Sequence, residues 1–293
     1  MKDKPRITRL YIPGNNPSIM QNIAIFGADT VILDLEDAVP PSNKDAARIL
    51  VKYALNNVDF GYTEKGVRIN SLISPYGKED LKMAVENGAE IIFLPKVEDS
   101  LDIKEVVDYI GDREIWLAPI LESAKGILNA SRIANASKRI AMVCFGAEDF
   151  TRDIGVERTK EGMELLLARQ TIVLAAKSAG IQASDTVFSD INDMEGLINE
   201  TTFVKSLGFD GKGAIHPLQI EPIHRVFMPS STEIEYAKKV VEAIKEARRK
   251  GSGVIALGRK MIDKPVVERA KRVLKLAEMA GLIDKSWREN GDN

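Results

Sequence analysis

"RIAMVCFGAEDF", residues 139–150, is the stretch on which the fold is decided. Its first half is an unbroken apolar run of the length and character of a strand buried on both faces. It ends on Gly146 and two adjacent acids, Glu148 and Asp149. Read as a strand over 139–149, it throws neighbouring side chains to opposite faces, so the two acids cannot serve one site together. If one of them works, its partner comes from elsewhere in the chain.

Similar runs recur on both sides. Residues 9–14, 29–37, 66–71, 90–96, 114–123, 185–190 and 211–217 each read as a strand. Amphipathic stretches at 17–26, 43–57, 77–87, 99–110, 124–136, 160–179 and 193–207 separate them. Eight strand–helix units in about 220 residues predict an α/β fold of the (β/α)₈ TIM-barrel type over residues 1–229. An open α/β sheet is the other arrangement with this alternation. After His216-Pro217 the pattern turns helical, with a helix over 217–226 and another capped by the serines and Thr232 and stopped at Gly251. A glycine-containing connector over 251–265 then leads to an amphipathic helix over 264–280. Residues 230–293 thus read as a C-terminal helical extension, suited to act as a lid or to reach a neighbouring subunit.

Composition narrows the function classes. The 293 residues carry 41 basic and 43 acidic side chains without long blocks, so no basic face offers itself to nucleic acid. No stretch has the length and apolarity of a signal peptide or a bilayer span. One cysteine, Cys144, allows no internal disulfide, and its apolar surroundings suit the core better than nucleophilic work. The expectation is a soluble cytoplasmic protein. Two histidines and no Cys/His cluster argue against structural zinc.

In such a barrel the chemistry sits where strands end. The polar residues there are Glu36 and Asp37, Arg68 and Asn70, Lys96, Glu122, Asp149, Asp185 with Ser189 and Asp190, and His216. Asp149 finds its partner in Glu122, one strand earlier. Two carboxylates on neighbouring strands, completed by water and substrate oxygens, suit Mg²⁺. Glu148 then faces away. Arg68 offers a planar fork to a substrate carboxylate. Plainer readings stand beside these: Glu122 and Asp149 as helix caps, and Arg68 as neutraliser of a nearby acid. At most one of Glu36 and Asp37 faces the pocket, in a supporting or salt-bridging role. Lys96 reads as an ion-pair partner, His216 as a hydrogen-bonded structural residue, and His224 as surface.

The motifs "LYIPGNN", "VILDLEDAV", "VRINS", "LPKVE", "PILESAKGILNA", "FGAEDF", "GIQASDTVFSD", "LGFDGKGAIHP" and "KMIDKPVVERA" follow one another. In that order they resemble the citrate lyase β-subunit family of the HpcH/HpaI aldolase superfamily, over about residues 6–282. "AIHPLQI" is equally similar to malyl- and citramalyl-CoA lyases. The resemblance implies a modified TIM barrel, a homotrimer or a multiple of three, and Mg²⁺ held by Glu122 and Asp149. It implies Arg68 on the substrate carboxylate and Tyr11, Ile215 and His216 lining the substrate or thioester pocket. Asp263 matches an acid that a C-terminal segment carries to a neighbour's site. Two positions depart: Ser18 and Asn22 stand where some relatives carry lysines for a CoA phosphate, and "LGRKMID" differs from the usual lid turn.

The implied chemistry is retro-aldol cleavage of a 3-hydroxyacyl thioester, citryl-CoA or citryl-acyl carrier protein, to oxaloacetate and an acetyl thioester. Citrate lyase α and γ (acyl carrier) subunits are the implied partners. A stand-alone malyl- or citramalyl-CoA lyase and a non-catalytic assembly subunit are the competing readings.

Overall fold

Eight short parallel strands pair in sequence order, β1 with β2 through to β8, and β8 returns to β1 with Lys212 opposite Thr8, closing a barrel. They are β1 Thr8–Pro13, β2 Thr30–Asp34, β3 Glu64–Arg68, β4 Ile91–Leu94, β5 Trp116–Leu121, β6 Met142–Phe145, β7 Gln182–Asp185 and β8 Gly211–Ala214. Helices cross between them, as in a (β/α)₈ TIM barrel. This is a computed structural model, and it describes residues 4–249, 256–257 and 260–288. The barrel belongs to a compact unit, Met1–Phe227; Met228–Asn293 forms a second.

Apolar side chains pack the interior, among them Ile32, Ile91, Phe93, Ile120, Met142 and Cys144. Cys144 is buried and free, and burial pushes its thiol up. At the N-terminal ends of the strands the floor is ionic. Arg6 holds Glu64 through Nε and Nη2 at 2.7 and 2.6 Å, and Thr30 Oγ1 donates to the same carboxylate at 2.9 Å. Paired at both prongs, these charges are tolerated away from water.

Three elements differ from the sequence reading. β6 stops at Phe145, and Glu148 and Asp149 lie in the first turn of the helix Ala147–Asp153. β7 is the polar run Gln182–Asp185, not residues 185–190. Strand pairing there is enforced by buried ionic contacts that no hydropathy pattern displays. The segments 17–26 and 124–136 each break into two short helices, at Asn22 and Asn129.

Those contacts join β7 and β8 to two helices. Arg169, on the helix Leu166–Ser178, holds Asp185 at 2.9 and 3.1 Å. Lys212 Nζ reaches Asp185 Oδ2 at 2.7 Å, the Thr186 carbonyl at 3.0 Å and Glu200 Oε1 at 2.5 Å. Burial pushes the Asp185 carboxyl up, yet Lys212 and Arg169 hold it below the usual range. His224 is partly buried rather than free at the surface: its Nε2 lies 3.0 Å from Thr8 Oγ1 and 2.9 Å from Asp29 Oδ2.

In the second unit the helices Ser231–Arg249 and Lys264–Met279 bury Val240, Ile244, Leu274 and Ala277 against one another. Ser230 and Glu233 cap the first reciprocally. Gly251, most of the connector, and Gly258 and Arg259 of the "LGRKMID" departure lie outside the described residues. Among the described residues no helix is long and apolar enough to cross a membrane.

Removing the buried ammonium tests the ionic joint. Lys212→Met is expected to lose about 3 kcal/mol, because Asp185 and Glu200 keep their charges with Arg169 alone left to bridge them. A lowered urea midpoint at unchanged m-value checks it.

Candidate active site

The C-terminal strand ends surround a cavity of about 390 Å³ lined by Tyr11, Asp34, Arg68, Glu122, Asp149 and Val187, among others. A second, more polar cavity of about 700 Å³ holds Lys96 and Lys125 on its wall and shares Glu122 and Asp149 with the first. The two acids paired from sequence therefore stand together, on the partition between two cavities.

Glu122 is the first residue past β5, and only 6% of it is exposed. The Lys96 backbone N–H donates to its Oε1 at 2.7 Å. Gly146 makes room for it: a Cβ there would lie 2.5 Å from Glu122 Oε2 and 2.7 Å from Glu122 Cβ. Burial, then the charges of Glu36 and Asp149, push its carboxyl up to about 8. Asp149 sits in the first turn of its helix, where an acid meets the positive end of the helix dipole. Its Oδ1 is 2.9 Å from Arg152 Nη2, and its Oδ2 is buried with no hydrogen-bond partner.

Glu148 does not face away. A helix turns adjacent residues by about 100°, not 180°, and Glu148 lines the first cavity with Asp149 while pairing with Arg158 at 2.8 Å.

Arg68 closes the site from β3. Its Nε and Nη2 each hold one oxygen of Asp34 at 2.7 Å. Its Nη1 stands 3.0 Å from Glu36 Oε2 and 3.7 Å from Asp37 Oδ2. Both acids after β2 thus reach the arginine, where the alternation argument allowed one, because the strand ends at Asp34. The Tyr11 ring lies beneath, 5.1 Å from the guanidinium carbon. Burial pushes the Tyr11 phenol well up, against the lowering pull of Arg68. Lys96 Nζ completes the chain at 2.7 Å from Glu36 Oε1.

Asp34 is the residue the sequence reading passed over. The signal was present: Asp34 and Glu36 are two apart in "VILDLED", the spacing that puts both on one face of a strand. Gly146 and Gly213 were also unread. A Cβ on Gly213 would come within 2.8 Å of Val187 Cγ1 and 3.4 Å of the Tyr11 ring.

The remaining candidates divide between the cavity walls and sites away from them. Ile215 lines the first cavity, half-exposed. His216 lines neither cavity; it caps the turn Pro217–Gln219, its Nδ1 accepting from Leu218 N at 3.3 Å. Asn70, on the wall of the second cavity, is buried and donates to Asp80 and the Leu35 carbonyl, and Asp185, on the wall of the first, belongs to the ionic joint. Ser189 and Asp190 line neither cavity. Asp263 lies in the second unit, exposed, capping Lys264–Met279 through Val266 N at 3.2 Å.

Among the described residues no group of three or more His, Cys, Asp or Glu side chains is arranged to hold a metal. Two carboxylates, one with a buried unpartnered oxygen, fit instead a hard cation that keeps water and substrate in most positions.

Residues 8–217 match the family model described as HpcH/HpaI aldolase/citrate lyase. The chain is 46% identical to the citrate lyase subunit beta of Leuconostoc mesenteroides subsp. cremoris, over 96% of each chain. It is 34% identical to the human mitochondrial citramalyl-CoA lyase, over 93% of this chain and 86% of that one. Among solved structures, the protein CitE from Mycobacterium tuberculosis in complex with magnesium, acetoacetate and coenzyme A superposes with a TM-score of 0.78. Identity there is 30%, over 94% of this chain and 99% of that one.

The raised Glu122 carboxyl has a consequence for stability. The folded, metal-free protein holds this proton up to about pH 8 while the unfolded chain releases it near pH 4.5, so stability falls as pH rises through that window. Glu122→Gln removes the penalty and is expected to be more stable than the parent at pH 8, by about 4 kcal/mol, with little difference near pH 4.5. Thermal melts across that pH range in EDTA test it.

Proposed function

The chain belongs to the HpcH/HpaI aldolase/citrate lyase family, and from that footing we propose that it cleaves a citryl thioester to oxaloacetate and an acetyl thioester, with Glu122 and Asp149 holding Mg²⁺. It is a carbon–carbon lyase. The observation that carries the metal assignment is the buried, unpartnered Oδ2 of Asp149 beside a Glu122 carboxyl pushed up to about 8. When bound there, Mg²⁺ supplies Lewis-acid stabilisation where alkoxide charge develops.

The chain's own residues do the rest. Arg68 takes the carboxylate of the oxo-acid half at Nη1, since Asp34 occupies its other edge. Asp34 keeps the guanidinium from swinging, and the Tyr11 ring fixes its plane. The substrate hydroxyl loses its proton, the bond between the carbinol carbon and the thioester methylene breaks, and the methylene carbon takes a proton. Asp263 of a neighbouring copy is the group assigned to that last proton, in a homotrimer or a multiple of it.

Ser18 and Asn22, in a stretch from residue 14 to 29 without lysine or arginine, favour a carrier protein over free CoA. Citrate lyase α and γ subunits are then the partners. The higher identity to a citrate lyase subunit than to a citramalyl-CoA lyase supports citryl over citramalyl. The acids and Arg68 held ready at one mouth speak against a non-catalytic assembly subunit.

Glu122→Ala and Asp149→Ala are each expected to lower kcat/KM about 100-fold or more, with the oligomer intact by sedimentation. Full activity in either rejects the metal assignment. A panel of citryl-, malyl- and citramalyl-thioesters on CoA and on carrier protein is expected to single out the citryl-carrier conjugate.

A further inference from the structure

Lys96 is the one non-glycine residue, among the described residues, with a positive φ, at 55°. Side chains avoid that region because Cβ crowds the backbone, so a lysine stays there only where its surroundings over-determine it. Pro95 before it has no N–H to give the ladder. Pairing with β5 resumes just beyond, Val97 N donating to the Ile120 carbonyl at 3.3 Å. Next, Ser123 Oγ donates to Glu98 Oε1 at 2.9 Å and Asn129 Nδ2 to the Glu98 carbonyl at 2.8 Å. Held on both sides, Lys96 turns its N–H out of the ladder and onto Glu122 Oε1, while Nζ goes to Glu36 Oε1, each at 2.7 Å. Glu36 Oε2 in turn stands 3.0 Å from Arg68 Nη1.

We infer that Lys96 is a positioning residue with two separable tasks. Its left-handed backbone orients the metal acid Glu122, and its ammonium holds Glu36 by Oε1 while Oε2, beside Arg68 Nη1, accepts no hydrogen bond, so that the N–H groups of Nη1 stay available to the substrate carboxylate. The inference rests on the metal and arginine roles proposed above. The two tasks use different atoms, so different substitutions remove them. Lys96→Gly and Lys96→Asn keep the backbone conformation and lose the ammonium. Lys96→Val cannot hold the conformation, because a β-branched side chain is excluded from it. Lys96→Met loses the ammonium alone, and Lys96→Arg returns a cation.

Calorimetric titration with MgCl₂ alone is expected to give Lys96→Gly and Lys96→Asn dissociation constants within about threefold of the parent, and Lys96→Val one about tenfold weaker. With citryl thioester, Lys96→Gly and Lys96→Met are expected to raise KM about tenfold with kcat changed less, and Lys96→Arg to bring KM back. Parental magnesium affinity in Lys96→Val, or equal losses in the glycine and valine variants, overturns the backbone task. An unchanged KM in Lys96→Met overturns the side-chain task. A crystal structure of metal-free Lys96→Val supplies a readout independent of the chemistry: the Glu122 carboxylate is expected turned away from residue 96, and its persistence in place overturns the inference. Should the parent itself bind no magnesium, the proposed metal site fails, and the Glu122 orientation still decides the role of Lys96.

Discussion

Carboxylates crowded at one end of a barrel repel one another, and the architecture of the mouth is the answer to that repulsion. Asp34, Glu36, Asp37, Glu122 and Asp149 gather at the mouth, where Arg68 and Lys96 answer the acids after β2 and Arg152 answers Asp149 from the rim. Asp34 claims two prongs of Arg68, and Glu36 is shared between Arg68 and Lys96. Glu122 and Asp149 are left with backbone and rim contacts only, and burial with the neighbouring acids pushes the Glu122 carboxyl up. The site is therefore poised: the arginine side is settled in advance, and Glu122 waits for a cation to make its ionisation favourable. Stability is given up at one spot so that binding can recover it there.

Much of this was legible in the residues. Near-continuous apolar runs separated by amphipathic stretches carried the barrel, because parallel strands buried on both faces leave that trace. Glu122, Arg68 and Asp149 stood out as ionisable groups where apolar runs stop. What stayed hidden has physical reasons. β7 reads "QASD", and its place in the sheet depends on Arg169 and Lys212, residues 16 and 27 positions away in sequence. Periodicity sees local order and cannot see such partners. The end of β6 was drawn too late because acids at a helix start and acids on a strand look alike in one dimension. His224 looked like a surface residue because Asp29, which engages it, lies 195 positions earlier.

The barrel also separates its two kinds of polar burial. At the N-terminal end, Arg6, Glu64 and Thr30 form a closed set in which every charge has its partner. At the C-terminal end the set is open. Both ends bury ions, but among the described residues only the second leaves a buried carboxylate oxygen without a hydrogen bond, and that asymmetry distinguishes a structural plug from a working mouth.

Gly213 bears on how such an enzyme diversifies. The wall beside the substrate is backbone at this point, and the smallest added group meets both Val187 and the ring that steadies Arg68. Narrowing the chamber here in one evolutionary step would drive the new group into the Val187 side chain, with the Tyr11 ring in contact behind it. A lineage drifting toward a different acyl group must first shorten residue 187 before position 213 is free to vary. The order of substitutions is thus written into the wall, and selectivity at this point evolves along one path and not the reverse.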